Sequence, residues 1–219
     1  MNFNRIGFGV GIIRKLLTAL MMLCSRSTIP EFLPCPQDIL RQRVQADLQP
    51  TLIRRIMNST LTFLSQSEHE TDRLGHALAA VLTLGLPIAL NGQLGSGKTR
   101  FVRALCSGLG VDIAFVNSPT FVIMQLYTDG RIPVAHFDTY RLGDLDEFLS
   151  IGADEYLLSD EWLCLIEWAD RISEALPEDY LDIRIQQVAE TSREFEFRST
   201  GPRSSGIVDA LRNRLSSSF

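Results

Sequence analysis

The chain has 219 residues, 45% hydrophobic and 21% charged, with a net charge of −5; these values describe a folded domain with an appendage and exclude a disordered or fibrous chain. The charge is uneven: residues 1–56 hold eight basic and three acidic side chains, whereas residues 57–219 hold thirteen and twenty-three, so the larger part is a poor nucleic-acid binder by itself. Cys24, Cys35, Cys106 and Cys164 show no C-x-x-C spacing, which argues against a zinc or redox motif and fits a reducing compartment.

Residues 1–30 carry Arg5, Arg14, Lys15 and Arg26 and no acid, with an apolar run behind the Arg14-Lys15 pair. Three readings compete: a secretory signal or membrane anchor, an organellar transit segment, or a start codon upstream of the true one at Met57. The apolar run is short for a membrane span. We therefore take residues 1–56 as an N-terminal extension, disordered or helical, and residues 57–219 as the domain. Transit segment and wrong start both stay open. The domain itself is expected to be cytoplasmic, or organellar if the extension is a transit peptide, with no membrane contact from residues 57–219.

From Met57 the elements alternate. Residues 60–64 form a short strand. Ser67 and Glu70 have capping-box spacing and open a helix; Leu74, Leu78, Val81 and Leu82 give it one apolar stripe, and Gly85 closes it. Residues 86–91 make a buried strand. The next helix starts near Lys98 and ends near Gly110, with Phe101, Leu105 and Leu109 on one face and Cys106 as a small buried hydrophobe. Strands 120–127 and 132–137 flank Thr128-Asp129-Gly130-Arg131, whose Asp-Gly predicts a hairpin turn. Asp144 caps a short acidic helix. Residues 162–167, which include Cys164, form a near-continuous apolar strand expected at a sheet centre. Strands 180–186 and 194–198 suggest an antiparallel addition, and Ile207, Leu211 and Leu215 place a final helix. The predicted class is α/β: three layers, with a mostly parallel central sheet, antiparallel additions, and helices on both faces.

One segment carries the chemistry. After the 86–91 strand come Gly92, Gln93, Leu94, Gly95, Ser96, Gly97, Lys98 and Thr99, which match G-x-x-x-x-G-K-[ST], and a helix follows. Glycines let backbone N–H groups converge on a phosphate chain, and the helix adds its positive dipole end. Lys98 is expected to reach the β- and γ-phosphates, and Thr99 to offer its hydroxyl to Mg²⁺. Arg100 and Trp168 join the cofactor-binding set, and the octet makes the expected α/β class a P-loop NTPase fold. Lys98 is also the single lysine after Met57, among twelve arginines, where a slender point charge suits a tight loop.

Three further groups stand out. In Val134-Ala135-His136-Phe137-Asp138, strand alternation puts His136 and Asp138 on one face. Asp138 is a candidate Mg²⁺ ligand; the alternative is a turn-capping Asp138 beside a packed His136. In Leu163-Cys164-Leu165-Ile166-Glu167-Trp168 an apolar strand ends in an acid, so Glu167 is a candidate for metal contact or water positioning. Trp168 stacks on a base, faces a partner or packs in the core. Asn117-Ser118-Pro119-Thr120-Phe121 sits where P-loop proteins often carry a γ-phosphate-sensing segment, although Ser-Pro-Thr is also ordinary turn chemistry.

In order, GQLGSGKTRFVRALCSGLG, SPTFVIMQLY, HFDTYRLGDLDEF, GADEYL and LCLIEWADR resemble the TsaE (YjeE) family over roughly residues 60–215. The resemblance implies a small ATPase of tRNA threonylcarbamoyladenosine synthesis that binds ATP and Mg²⁺. Such an ATPase works on the TsaB–TsaD protein complex, which modifies adenosine 37 of ANN-decoding tRNAs, and meets tRNA only through those partners. It carries Lys98, Asp138 and Glu167 over as catalytic residues, Thr99, Asp138 and Glu167 as the metal set, and Trp168 as a nearby functional position. It also implies weak hydrolysis alone, stimulated by the partners. The chain departs from the family at Asn117, at Ala169-Asp170 and in the 1–56 extension. A P-loop small-molecule kinase is an alternative, opposed by the sparse arginines between Arg103 and Arg171. A nucleotide-gated binding module with negligible turnover is another.

Overall fold

The computed structural model describes residues 59–218, which lie within one compact unit. The expectations for residues 1–56, Met57, Cys24 and Cys35 fall outside the described residues. In chain order the elements are β1 (Thr60–Ser65), α1 (Glu68–Ala79), β2 (Ile88–Asn91), α2 (Lys98–Leu109), β3 (Met124–Tyr127), β4 (Val134–Asp138), α3 (Leu145–Ser150) and α4 (Ala153–Leu157). They continue with β5 (Leu163–Glu167), a 3-10 helix (Ala169–Ala175), β6 (Leu181–Gln187), β7 (Arg193–Ser199) and α5 (Pro202–Ser218). No described helix is long and apolar enough to cross a membrane.

The seven strands form one sheet in the order β1-β7-β6-β2-β5-β4-β3. Its centre, β6-β2-β5-β4, is parallel throughout. Antiparallel pairs extend it on both sides: β3 beside β4, and β7 with β1 beyond β6. Strands β4 and β5 are buried at every position, as expected of strands covered on both faces.

Strand alternation divides the core into two layers. Ile88, Leu90, Val134, Leu163 and Leu165 face one way and pack under Leu74 and Leu78 of α1, Phe101 and Leu105 of α2, and Val208 and Leu211 of α5. Ala89, Ala135, Phe137, Cys164 and Ile166 face the other and pack against Phe148, Leu157 and Ile172. Each fully buried Leu, Ile or Phe stabilises the fold by about 1.5–3 kcal/mol. The same period-two rule fixes the site: His136 and Asp138 of β4 and Glu167 of β5 lie on the face that α2 covers.

Several boundaries differ from the sequence expectation. Helix α1 ends at Ala79, where Ala80 N–H bonds back to His76 O. Gly85 does not close it; its φ of +69°, and an Asp160 Cα that would stand 2.8 Å from any added Cβ, are what require glycine. Pro87 has no N–H for the ladder, so β2 starts at Ile88. Strand β3 starts at Met124 rather than Thr120, because Val122 N–H and Ile123 N–H both turn back to Pro119 O. The 128–133 connection does join an antiparallel hairpin, as a longer loop that Arg131 N–H to Leu109 O and Asp112 N–H to Asp129 pin to the end of α2. Helix α4 and the 3-10 helix are additional to the sequence reading. The Ser67 cap is present, and Glu70 reaches back to Gln66 N–H at 2.7 Å.

Candidate functional site

The site forms where β2, β4 and β5 end beneath the first turn of α2. Gly95 (φ +79°) and Gly97 (φ +104°) take the left-handed backbone that L side chains avoid. At Gly92 a Cβ would stand 2.4 Å from Ile185 O, so the loop hugs the end of β6. No side chain caps α2, which leaves its first N–H groups available to an anion. Leu94 projects outward at 78% exposure. Ser96 is buried, with an Oγ that has no partner among the described residues.

Arg193 braces this loop from outside. Its Nε donates to Ser96 O at 3.1 Å while Nη1 donates to Ala189 O, Glu190 O and Ser192 O. No short sequence motif signals it; only the pairing of β6 with β7 brings residue 193 beside residue 96.

Lys98 is 5% exposed, and its Nζ donates to Gly92 O at 2.9 Å and Gln93 O at 3.0 Å. The ammonium lies 3.7 Å from the centroid of the Trp168 ring. Desolvation by burial lowers its pKa, opposed by the charges of Glu167, Asp138 and Asp170. Trp168 holds a left-handed backbone (φ +60°), an outlier for a bulky residue. That conformation is fixed by Trp168 N–H to Leu90 O, by Thr139 Oγ1 donating to Trp168 O, and by a ring contact with Tyr140. Trp168 therefore belongs to the site and is only half-buried.

Asp138 and Glu167 are register partners on adjacent strands, both 2% exposed. Thr99 Oγ1 meets both Glu167 carboxylate oxygens, at 2.8 and 2.9 Å, and His136 Nε2 lies 3.0 Å from Oε1. Asp138 Oδ2 accepts from Ser118 Oγ at 2.5 Å and Thr120 Oγ1 at 2.6 Å, while Oδ1 accepts from Tyr140 N–H. The Ser-Pro-Thr segment is thus tied to the acid end rather than being a free turn. Among the described residues no three His, Cys, Asp or Glu side chains could hold a metal on their own. Two carboxylates and a hydroxyl fit Mg²⁺, which usually completes its shell with waters and phosphate oxygens.

Arg100 stands apart: its guanidinium pairs with Asp72 of α1 at 2.7 Å and with Glu68 at 3.6 Å. Arg131 donates to Ala79 O, and Arg141 lies 4.1 Å from the Phe121 ring. Beside the loop is a cavity of about 640 Å³ lined by Asn91, Gly92, Leu94, Trp168, Arg184 and Gln187, among others. The buried thiols of Cys106 and Cys164 are each pushed up to about 12, in both cases chiefly by desolvation, and are inert packing groups.

Comparison with known proteins gives one consistent result. The model for threonylcarbamoyl adenosine biosynthesis protein TsaE matches residues 65–195. The chain is similar to the tRNA threonylcarbamoyladenosine biosynthesis protein TsaE of Bacillus subtilis, 37% identical over 151 residues, covering 69% of this chain and 93% of the relative. Its counterpart in Streptomyces coelicolor is 44% identical over 126 residues, covering 55% and 82%. Among solved structures it is similar to Bacillus subtilis YdiB, with a TM-score of 0.58 and 31% identity, covering 72% of this chain and 97% of that one.

Proposed function

The chain belongs to the TsaE family, and from that premise we propose that it is a Mg²⁺-dependent ATPase supporting threonylcarbamoylation of adenosine 37 in ANN-decoding tRNAs. In this reading it acts on the TsaB–TsaD complex and reaches tRNA only through it. Its relatives are tRNA threonylcarbamoyladenosine biosynthesis proteins, which supports that pathway for this chain.

The observation that carries the ATPase reading is the meeting of Thr99 with Glu167 at 2.8 Å. It joins the phosphate loop to the acid at the end of β5, the pairing that nucleotide hydrolysis on this architecture uses. The loop N–H groups and Lys98 bind the β- and γ-phosphates. The 640 Å³ cavity beside Gly92 gives room for the nucleoside. Thr99, Asp138 and Glu167 would hold Mg²⁺, which would supply positive charge to offset that of the phosphates. Glu167 and Asp138 also orient the water that attacks the γ-phosphorus as ADP departs. Arg141 rests on Phe121 instead of reaching the loop, in keeping with slow hydrolysis that a partner accelerates. Phe121 at 82% and Val122 at 68% exposure, beside the Asp138-bound segment, supply apolar surface for such a partner.

The test is ATP hydrolysis by the full chain, alone and titrated with TsaB–TsaD, beside Lys98→Ala. The reading expects stimulation that disappears in the variant. A rate indifferent to the partners across a full titration would contradict it.

A further inference from the structure

The site contains a buried chain of hydrogen bonds that the roles above leave unused. Tyr127, at the end of β3, is 4% exposed, and its hydroxyl lies 3.3 Å from His136 Nδ1. His136 is fully buried, and its other nitrogen lies 3.0 Å from Glu167 Oε1.

We propose that Tyr127 and His136 are a positioning pair that fixes the Glu167 carboxylate. This rests on the ATPase reading of the same site.

The direction of each hydrogen bond follows from what is available. Burial holds the Tyr127 phenol well above its ordinary pKa, so it keeps its proton. A buried O–H requires an acceptor, and among the described residues the acceptor in reach is His136 Nδ1. Nδ1 therefore accepts, and Nε2–H donates to Glu167. A second consequence concerns Thr99. Its hydroxyl and His136 are the side-chain donors on the Glu167 carboxylate. When Thr99 turns its hydroxyl to a ligand, His136 is the donor that stays. The 118–120 segment is held by the other acid, Asp138, through Ser118 and Thr120. Sequence alone could place His136 beside Asp138 by strand alternation, but not opposite residue 167, because that needs the β4–β5 register.

The experiment compares the full-length wild type with Tyr127→Phe, His136→Leu and His136→Gln. It measures kcat for ATP hydrolysis with Mg²⁺, ADP affinity, thermal midpoint, and the ¹⁵N imidazole spectrum of the nucleotide-free protein. His136→Leu should lower kcat about 10- to 100-fold, as for other residues that orient a site carboxylate, with ADP affinity within about threefold. His136→Gln should recover most of the loss, since its amide N–H reaches the position of Nε2. Tyr127→Phe should lower kcat about three- to tenfold. The spectrum should show Nε2–H in the wild type and a mixture of tautomers in Tyr127→Phe.

Values of kcat within twofold of wild type in all variants would overturn the proposal. So would a parallel fall in kcat, ADP affinity and thermal midpoint with no recovery by Gln, which marks a scaffold role. If His136→Leu does not fold, the other two variants carry the same judgement. A wild type that hydrolyses no ATP, with or without partners, would remove the ATPase reading instead. The tautomer change in Tyr127→Phe would then still decide whether the pair exists.

Discussion

The phosphate loop and the acid end of the site lie side by side but are built by different means. The 92–99 loop is a backbone device: three glycines set its path, the end of β6 abuts it, and the N-terminus of α2 supplies its donors. The acid end is a side-chain device. Asp138 and Glu167 sit at matched register on two parallel strands, and their orientation comes from Ser118, Thr120, Thr99 and His136, which reach them from three separate places in the chain. A backbone device should bind any polyphosphate of suitable length. A side-chain device should matter for chemistry and for coupling to loops. The two halves are therefore expected to fail differently.

Lys98→Ala tests the binding half most severely. Loss of the ammonium should lower ATP hydrolysis by about 100-fold or more and ADP affinity with it, read by kinetics and calorimetry; retained affinity would move phosphate binding away from the loop. Gly92→Ala asks whether the loop is set by its backbone. The new Cβ collides with Ile185 O and stands 2.7 Å from Ser96 Oγ, so denaturant unfolding should show a loss of about 1–3 kcal/mol, together with weaker ADP binding. Unchanged stability would mean that β6 yields easily.

The thiols behind each half extend the comparison to pH. Cys106 lies in α2 behind the loop and Cys164 in β5 behind Glu167. Burial raises each from 9.0 to about 12, so the folded state holds the proton that the unfolded state releases. Their contribution is complete below pH 9 and is lost between 9 and 12 at about 1.4 kcal/mol per pH unit and thiol. Alkaline denaturation of Cys106→Ala and Cys164→Ala should each show a shallower decline over that window. An unaltered slope in both would place the sensitivity elsewhere. The smallest change is expected from Ser118→Ala, which removes one donor from Asp138 while Thr120 remains. It should cost about 1 kcal/mol of stability and lower kcat more than ADP affinity, a split that would vanish if the segment only closed a turn.

This contrast also explains what the sequence made legible. Octet, strand and helix stand in one continuous stretch, so the loop could be read locally. Pairing partners could not. Glu167 and Asp138 were visible as strand-end acids, but their juxtaposition depends on β5 lying between β2 and β4. Arg100 illustrates the converse: its position beside Thr99 suggested the nucleotide, yet helix geometry turns its guanidinium toward Asp72 of α1. The late start of β3 was hidden as well, because the hydroxyl of Thr120 belongs to Asp138, a contact made across 18 residues. Arg193 was out of reach of any local pattern.

The most direct measurement is Glu167→Gln in the full chain, scored for ADP affinity and for partner-stimulated ATP hydrolysis in the same preparation. The substitution keeps the shape of the side chain and removes its charge. The account predicts ADP affinity within about threefold of wild type and hydrolysis reduced about 100-fold or more. Unimpaired hydrolysis, or affinity lost in step with the rate, would contradict the division between a loop that binds and an acid end that drives the chemistry.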